Sequence, residues 1–459
     1  MTNESTLQPT NNEGVDVAAS EQTEERILDK KVSRRAMLVG SGALAMTGAI
    51  AKVTGVVGRD ATKASADTWA NVEFTMAGTD GWAYLAGAPH QPFFPDTFAP
   101  KGFNTYIFGL RDLTDLSEAE VLQQKGNAQF TAPILGFRIG QKIELTLYNL
   151  GLAQRPDLVD SHTFHWHGFR NAIPLYDGTP DTSLSVPIGR HLKYRFQPHE
   201  AGTYMYHCHF EDVEHVQMGM IGLVYVLPAL GPFAHCAYEH ADTAFDRQFS
   251  IMLTEVDSHI HWNDAHIQVS DFTDYTPDHW TMNGRSYPDT LAPHGHRDPG
   301  SLDMVTGKAP SDVTNIGSLD HSPVSSLIEA NAGDKVLLRL ASLGFQEHSL
   351  VAPGIDMKIV GQDARCVLGV NGFGDRSALT NTVSIGSGES RDLIFVAPAY
   401  DATTATAGGY NVYRLFDRTY GHAANSSSTG DGGQMTEIRV FPGGTLGAQA
   451  LLTGERQNV

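Results

Sequence analysis

The chain has 459 residues, 41% of them hydrophobic and 18% charged, which is ample for two domains and argues against a disordered or fibrous protein. Its 52 acidic against 32 basic side chains leave a formal net charge of −20, so a nucleic-acid partner would be repelled rather than neutralised.

Residues 1–66 read as an export leader. A polar start is followed by "KKVSRRAML" with Arg34 and Arg35, then the Gly/Ala-rich "LVGSGALAMTGAIA" and "ATKASA". The paired arginines resemble a twin-arginine signal, and Ala64-Ser65-Ala66 is a cleavage site that leaves about 393 residues. The apolar run is too short and glycine-rich for a bilayer span of about 20 residues, so no stable span is expected after cleavage. The expected location is periplasmic, extracellular or at the cell surface. There disulfides are permitted, and if Cys208 binds a metal only Cys236 and Cys366 are left to pair; buried free thiols are the competing reading.

Beyond the leader, short apolar or alternating runs dominate: "KIELTLYNLG", "LKYRFQ", "TYMYHCH", "GLVYVLP", "KVLLRLASLG", "DLIFVAP" and "EIRVFPGG". Glycine, proline and aspartate punctuate them, so the fold class is all-β, of sandwich or barrel type, with a helix only near 112–125. The unit is written twice. "GQKIELTLYNLG" (140–151) and "GDKVLLRLASLG" (333–344) agree at six of twelve positions, and "GTYMYHCHFED" (202–212) aligns with "GGYNVYRLFDR" (408–418). The expected divisions are a leader over 1–66, a first domain over 67–230, a linker and loop-rich start of the second domain over 231–330, and its core over 331–459.

Two segments of the first domain concentrate metal ligands. "SHTFHWHGF" holds His162, His165 and His167; "HCHFEDVEHVQMGM" holds His207, Cys208, His209, His215 and Met220. Alternate residues of a strand share a face, so His207 and His209 point one way and Cys208 the other. The same parity puts His165 and His167 together and His162 opposite. Cys208 with His162 and His215 makes a thiolate-and-two-imidazole set, to which Met220 adds a long thioether contact; Met218 competes for that place. Such a set suits a blue-copper electron-transfer centre. The all-imidazole set His165, His167, His207 and His209 suits copper that meets a small oxidant. A structural zinc site would use Cys and His but leaves the two-sided strand and the trailing methionine unexplained.

These segments resemble the copper motifs of multicopper oxidases, the family of laccases and their two-domain relatives. The flanking "PILGFRIGQKIELTLYNLG", "DGTPDTSLSVPIGRHLKYRFQPHEAGTYMYHCH" and "WTMNGRSYPDT" resemble that family's framework. The resemblance implies two tandem cupredoxin-like Greek-key β-sandwiches. It also implies a type 1 copper on His162, Cys208, His215 and Met220, a type 2 ligand in His165, and type 3 ligands in His167, His207 and His209. It further implies a reducing substrate, metal ion or redox protein as electron donor, dioxygen as acceptor, and a homotrimer. Glu211, Asp212 and Glu214 beside the type 1 set would attract cationic donors, although a solvated loop explains them as well.

The second domain departs from the pattern. Aligning "EHSLVAPG" on "SHTFHWHG" keeps His348 against His162 but sets Val351 and Pro353 against His165 and His167. The second alignment sets Tyr413, Arg414 and Leu415 against His207, Cys208 and His209. Three readings follow. The loop histidines His259, His261, His294 and His296 complete the cluster; the first domain keeps a reduced site; or the chain is a type 1 electron carrier or copper-handling protein. A copper nitrite reductase-like enzyme is the further alternative, against which the second domain lacks the expected strand histidine.

Overall fold

The computed structural model describes residues 71–86, 95–100, 104–294, 319–369, 374–425, 431–451 and 455–457. The expected leader, its cleavage site and His296 lie outside the described residues. Among the described residues no helix is long and apolar enough to cross a membrane.

The first sandwich contains β1 (Val72–Ala83), β2 (Thr105–Asp112), β3 (Ile134–Arg138), β4 (Ile143–Gly151), β5 (His165–His167), β6 (His191–Phe196), β7 (Gly202–His207) and β8 (Ile221–Leu227). The second contains β9 (Arg247–Val256), β10 (His279–Met282), β11 (Ile328–Asn331), β12 (Lys335–Ser342), β13 (His348–Val351), β14 (Met357–Gln362), β15 (Arg365–Cys366), β16 (Ala378–Thr380), β17 (Thr382–Ile385), β18 (Ser390–Val396), β19 (Asn411–Asp417) and β20 (Met435–Phe441). A last strand, β21 (Glu455–Gln457), returns to pair with β3.

The strand orders are β2-β1-β4-β6 facing β21-β3-β8-β7-β5, and β10-β9-β12-β18-β14-β15 facing β11-β20-β19-β13-β17. Each sandwich repeats the other: β1 runs parallel to β4 as β9 does to β12, and β3 runs parallel to β8 as β11 does to β20. Each closes on its own apolar core, Phe74, Leu145, Phe164 and Val224 in the first, and Leu253, Leu338, Leu350 and Ile438 in the second. This is the all-β tandem cupredoxin architecture expected from the sequence.

Strands β7 and β8 are buried on both faces. Tyr204, Tyr206, Val224 and Val226 face the first core, while Met205, Ile221, Leu223 and Tyr225 meet Leu337 and Ala341 of β12. A polar knot reinforces that contact: Thr203 donates to the Asp392 carboxylate, Tyr238 donates to its other oxygen, and Arg339 reaches both Thr203 and Asp392. The strand carrying the ligand segment is therefore held from two sides.

Helices are few. Helix α1 (Glu118–Val121), extended by a 3-10 turn over Leu122–Gln124, lies within the expected 112–125 and starts on a Ser117–Glu120 capping box. Helices α2 (Asp212–Met218) and α3 (Ser258–Ala265) carry no helical period long enough to stand out in an all-β sequence. Helix α2 ends at Gly219, whose φ of +117° suits glycine and where a Cβ would meet the Phe130 ring at 2.4 Å. Cys236 and Cys366 are free thiols.

Candidate metal centres

Parity along β7 separates the two ligand sets. Cys208 follows the even residues Tyr204 and Tyr206 into the first core, and His207 follows Met205 toward the second sandwich. Loop closure then brings the remaining ligands to Cys208. The Cys208 amide donates to the Met220 carbonyl at 3.1 Å, and the Met220 amide donates to the His215 carbonyl at 2.9 Å, so the short helix α2 folds back over the thiol. His162 arrives from the other side, pinned to Val186 by reciprocal backbone bonds of 3.0 and 2.8 Å.

The result is a fully buried trio. Cys208 Sγ lies 3.1 Å from His215 Nδ1 and 4.0 Å from His162 Nδ1. Burial pushes the Cys208 thiol up, but the His215 and His162 rings override it and hold it well below the ordinary thiol value. His215 behaves in reverse: burial depresses it, and the adjacent sulfur and Asp160 raise it to about 10. The set favours an anionic sulfur against cationic or metal-bound imidazoles. Both Met218 and Met220 are fully buried beside it.

The imidazole set lies on the opposite face of the same segment. His165 pairs with His207 across β5 and β7, and the ligand atoms of His165, His167 and His207 fall within 4.8 Å of one another. The His209 ring is 5.0 Å from that of His165 and 5.4 Å from that of His207. Backbone carbonyls fix two of these rings: His165 Nδ1 donates to Asp177 O at 2.7 Å and His207 Nδ1 to Cys208 O at 2.8 Å. That turns Nε2 of each toward the set, where His207 Nε2 meets His167 Nδ1 at 3.3 Å, the usual outer-sphere arrangement for metal histidines. Burial, then mutual repulsion among the rings, holds His207 well below the ordinary histidine value; His167 is lowered by the same two causes. Neutral imidazoles are the form that binds metals.

From the second sandwich, Gly388 approaches this set, its carbonyl 3.2 Å from His167 Nε2. The described loop histidines have other surroundings. His259 is exposed, whereas His261 is buried and spends Nδ1 on Tyr106 O at 2.6 Å; His294 accepts from the Ser325 amide at 3.0 Å. Sequence reasoning missed Asp160, whose carboxylate lies 3.7 Å from His215 Nε2. Its place two residues before His162 was the available signal.

One expected equivalence is corrected by strand register. In the first sandwich His165 faces His207, and in the second Val351, the counterpart of His165, faces Phe416. Asp417, not Arg414, therefore occupies the place of Cys208. Arg414 sits three residues away, half exposed and paired with Asp431 at 2.5 Å.

A multicopper oxidase family model matches residues 116–230. The chain is 29% identical over 123 residues to a multicopper oxidase of Cercospora beticola, covering 26% of this chain and 18% of that protein. It is 27% identical over 183 residues to a copper resistance protein A homolog of Pseudomonas syringae pv. tomato, covering 39% and 27%. The chain thus spans only about a fifth to a quarter of the length of these curated relatives. Among solved structures it resembles the blue copper oxidase of Nitrosomonas europaea, at TM-score 0.55 and 21% identity over 80% of this chain and 85% of that one. It also resembles the multicopper oxidase mgLAC, at TM-score 0.54 and 19% identity over 82% and 87%. The His162, Cys208 and His215 set is consistent with a type 1 copper site. Over residues 116–230, which carry both ligand segments, the chain matches the multicopper oxidase family model.

Proposed function

We propose that the chain is a copper-dependent oxidase. His162, Cys208, His215 and Met220 would hold a type 1 copper, and His165, His167, His207 and His209 would hold a second copper set. Bound copper supplies one-electron exchange at the first set and reduction of dioxygen at the second. The supporting observation is the adjacency of the two sets: Cys208 and His207 are consecutive residues, and the His207 ring donates to the Cys208 carbonyl at 2.8 Å. Electrons leaving the thiolate therefore have a route of covalent and hydrogen-bonded links rather than a gap.

The residues around the sets prepare them. Burial of Cys208 keeps water from the sulfur, and the paired imidazoles keep that sulfur anionic. The carbonyls of Asp177 and Cys208 hold the His165 and His207 tautomers. The donor, a reducing small molecule, metal ion or redox protein, would approach near His215, where Glu211 and Asp212 flank the ligand loop.

An electron-carrier reading is favoured by one observation. Among the described residues the group from the second sandwich seen against the imidazole set is a backbone carbonyl, Gly388 O, 3.2 Å from His167 Nε2, and not a further histidine. Copper counting, visible and electron spin resonance spectra, and oxygen uptake separate the readings. More than one copper per chain with oxygen consumption is expected. One copper, a thiolate-to-copper band and no oxygen uptake would leave the carrier, and nitrite consumption without oxygen uptake would replace the oxidase by a nitrite reductase.

A further inference from the structure

The register that puts Asp417 in the place of Cys208 extends to a whole ligand frame in the second sandwich. The Cys208 amide donates to Met220 O at 3.1 Å, and the Asp417 amide donates to Gln434 O at 3.0 Å. His348 stands where His162 stands, and His422 reaches the cluster from the turn after β19 as His215 does from the turn after β7. His162, Cys208, His215 and Met220 are thus answered by His348, Asp417, His422 and Gln434.

The atoms converge in the same way. Asp417 Oδ2 lies 3.1 Å from His422 Nδ1 and 3.4 Å from His348 Nδ1, with ligand atoms of all three residues within 4.8 Å of one another. The two rings are 5.7 Å apart, against 5.1 Å for His162 and His215. Behind the ring, His348 Nε2 faces Glu255 Oε2 at 3.4 Å, as His215 Nε2 faces Asp160 Oδ2 at 3.7 Å. Such a carboxylate behind a ligating histidine fixes which nitrogen is free for a metal.

Two features mark this as more than an acidic cluster. His348 is fully buried, and its two ring nitrogens have only long carboxylate contacts of 3.4 Å, to Asp417 and to Glu255, that fall short of good hydrogen-bond geometry; Gln434 Oε1 is likewise buried without a hydrogen bond. Contacts this long between buried polar groups are uncommon in a folded core and leave room for a further partner among them. Asp417 and Glu255 also bring two buried carboxylates to His348, a concentration of negative charge that a proton on the ring or a divalent cation between the groups offsets.

We propose that the second sandwich holds a divalent transition-metal ion on His348 Nδ1, Asp417 Oδ2 and His422 Nδ1, with Gln434 beside it and Glu255 orienting His348. Two imidazoles and a carboxylate suit zinc or copper(II), and without a thiolate the site lacks the intense charge-transfer band of a blue one. Half-buried His422, stacked on Trp280 at 4.8 Å, is its solvent-side member. The site requires none of the ligands assigned to the oxidase, so either proposal can fail alone.

The test uses the full chain carrying Cys208→Ser, stripped of metal by a chelator and titrated with zinc, with metal counting and thermal unfolding. Adding His422→Gln should lower bound zinc by one equivalent and reduce the zinc-dependent rise in unfolding temperature. Glu255→Gln, which keeps the shape, should weaken that equivalent 10–100-fold without abolishing it. Equal zinc uptake and an equal temperature rise with and without His422→Gln would overturn the proposal, as would a Glu255→Gln variant that binds zinc like its parent.

Discussion

His207 donates its Nδ1 proton to the carbonyl oxygen of the next residue, Cys208, while the two side chains point into different ligand sets. One peptide unit therefore touches both proposed copper sets, and the alternation of a strand, rather than a dedicated linker, creates the junction.

Replacing Cys208 by serine tests that junction. The thiolate is the only sulfur anion in its set, so the intense visible band should vanish, and oxygen uptake with a reducing donor should fall to background. Copper held at the imidazole set should remain, because His165, His167 and His207 lie on the other face. Absorption spectra and copper analysis read both outcomes; a persisting blue band would remove Cys208 from the site.

Asp160 acts from behind. Its carboxylate lies 3.7 Å from His215 Nε2, the ring nitrogen other than the Nδ1 that faces Cys208, and so is placed to orient the ring. Asp160→Asn should weaken copper retention at the Cys208 set 10–100-fold while leaving the fold intact. Competition with a chelator, monitored through the blue band, measures the loss.

The polar knot between the sandwiches carries a stability prediction. Arg339 and Asp392 are both fully buried, and Thr203 and Tyr238 bond the same carboxylate. Asp392→Ala leaves the guanidinium buried without its counter-charge and should cost roughly 3–5 kcal/mol. Urea unfolding gives the value, and a cost below about 1 kcal/mol would show the knot to be solvated.

Asp289 links stability to pH. Burial pushes its carboxyl up to about 6 from 3.8, with Arg285 pulling the other way. Below the lower value both folded and unfolded chains hold the proton; between the two, only the folded chain does. The stabilising contribution is therefore full in acid and lost as pH rises through about 6, amounting to about 3 kcal/mol. Asp289→Asn mimics the protonated form, so its advantage over the parent should grow between about pH 4 and about pH 7. Urea midpoints at the two values decide the matter; a constant difference would refute the assignment.

Much of this protein could be read from residues alone, because strand alternation and the internal repeat are local properties. The spacing in "HTFHWH" and "HCHF" already separates Cys208 from His207, and "GQKIELTLYNLG" against "GDKVLLRLASLG" already announces two sandwiches. What sequence could not settle was register. Matching β19 to β7 by tyrosine and phenylalanine put Arg414 opposite Cys208, whereas backbone pairing of β13 with β19 and of β19 with β20 puts Asp417 there. Cross-strand hydrogen bonds, not residue likeness, determine which side chains meet, and a shift of three residues reverses the facing side of every residue in the strand. The contribution of Glu255 likewise depended on tertiary folding, because it reaches His348 from β9, a strand with no ligand pattern of its own, while Asp160 stands beside His162 in sequence but meets His215 only in the fold.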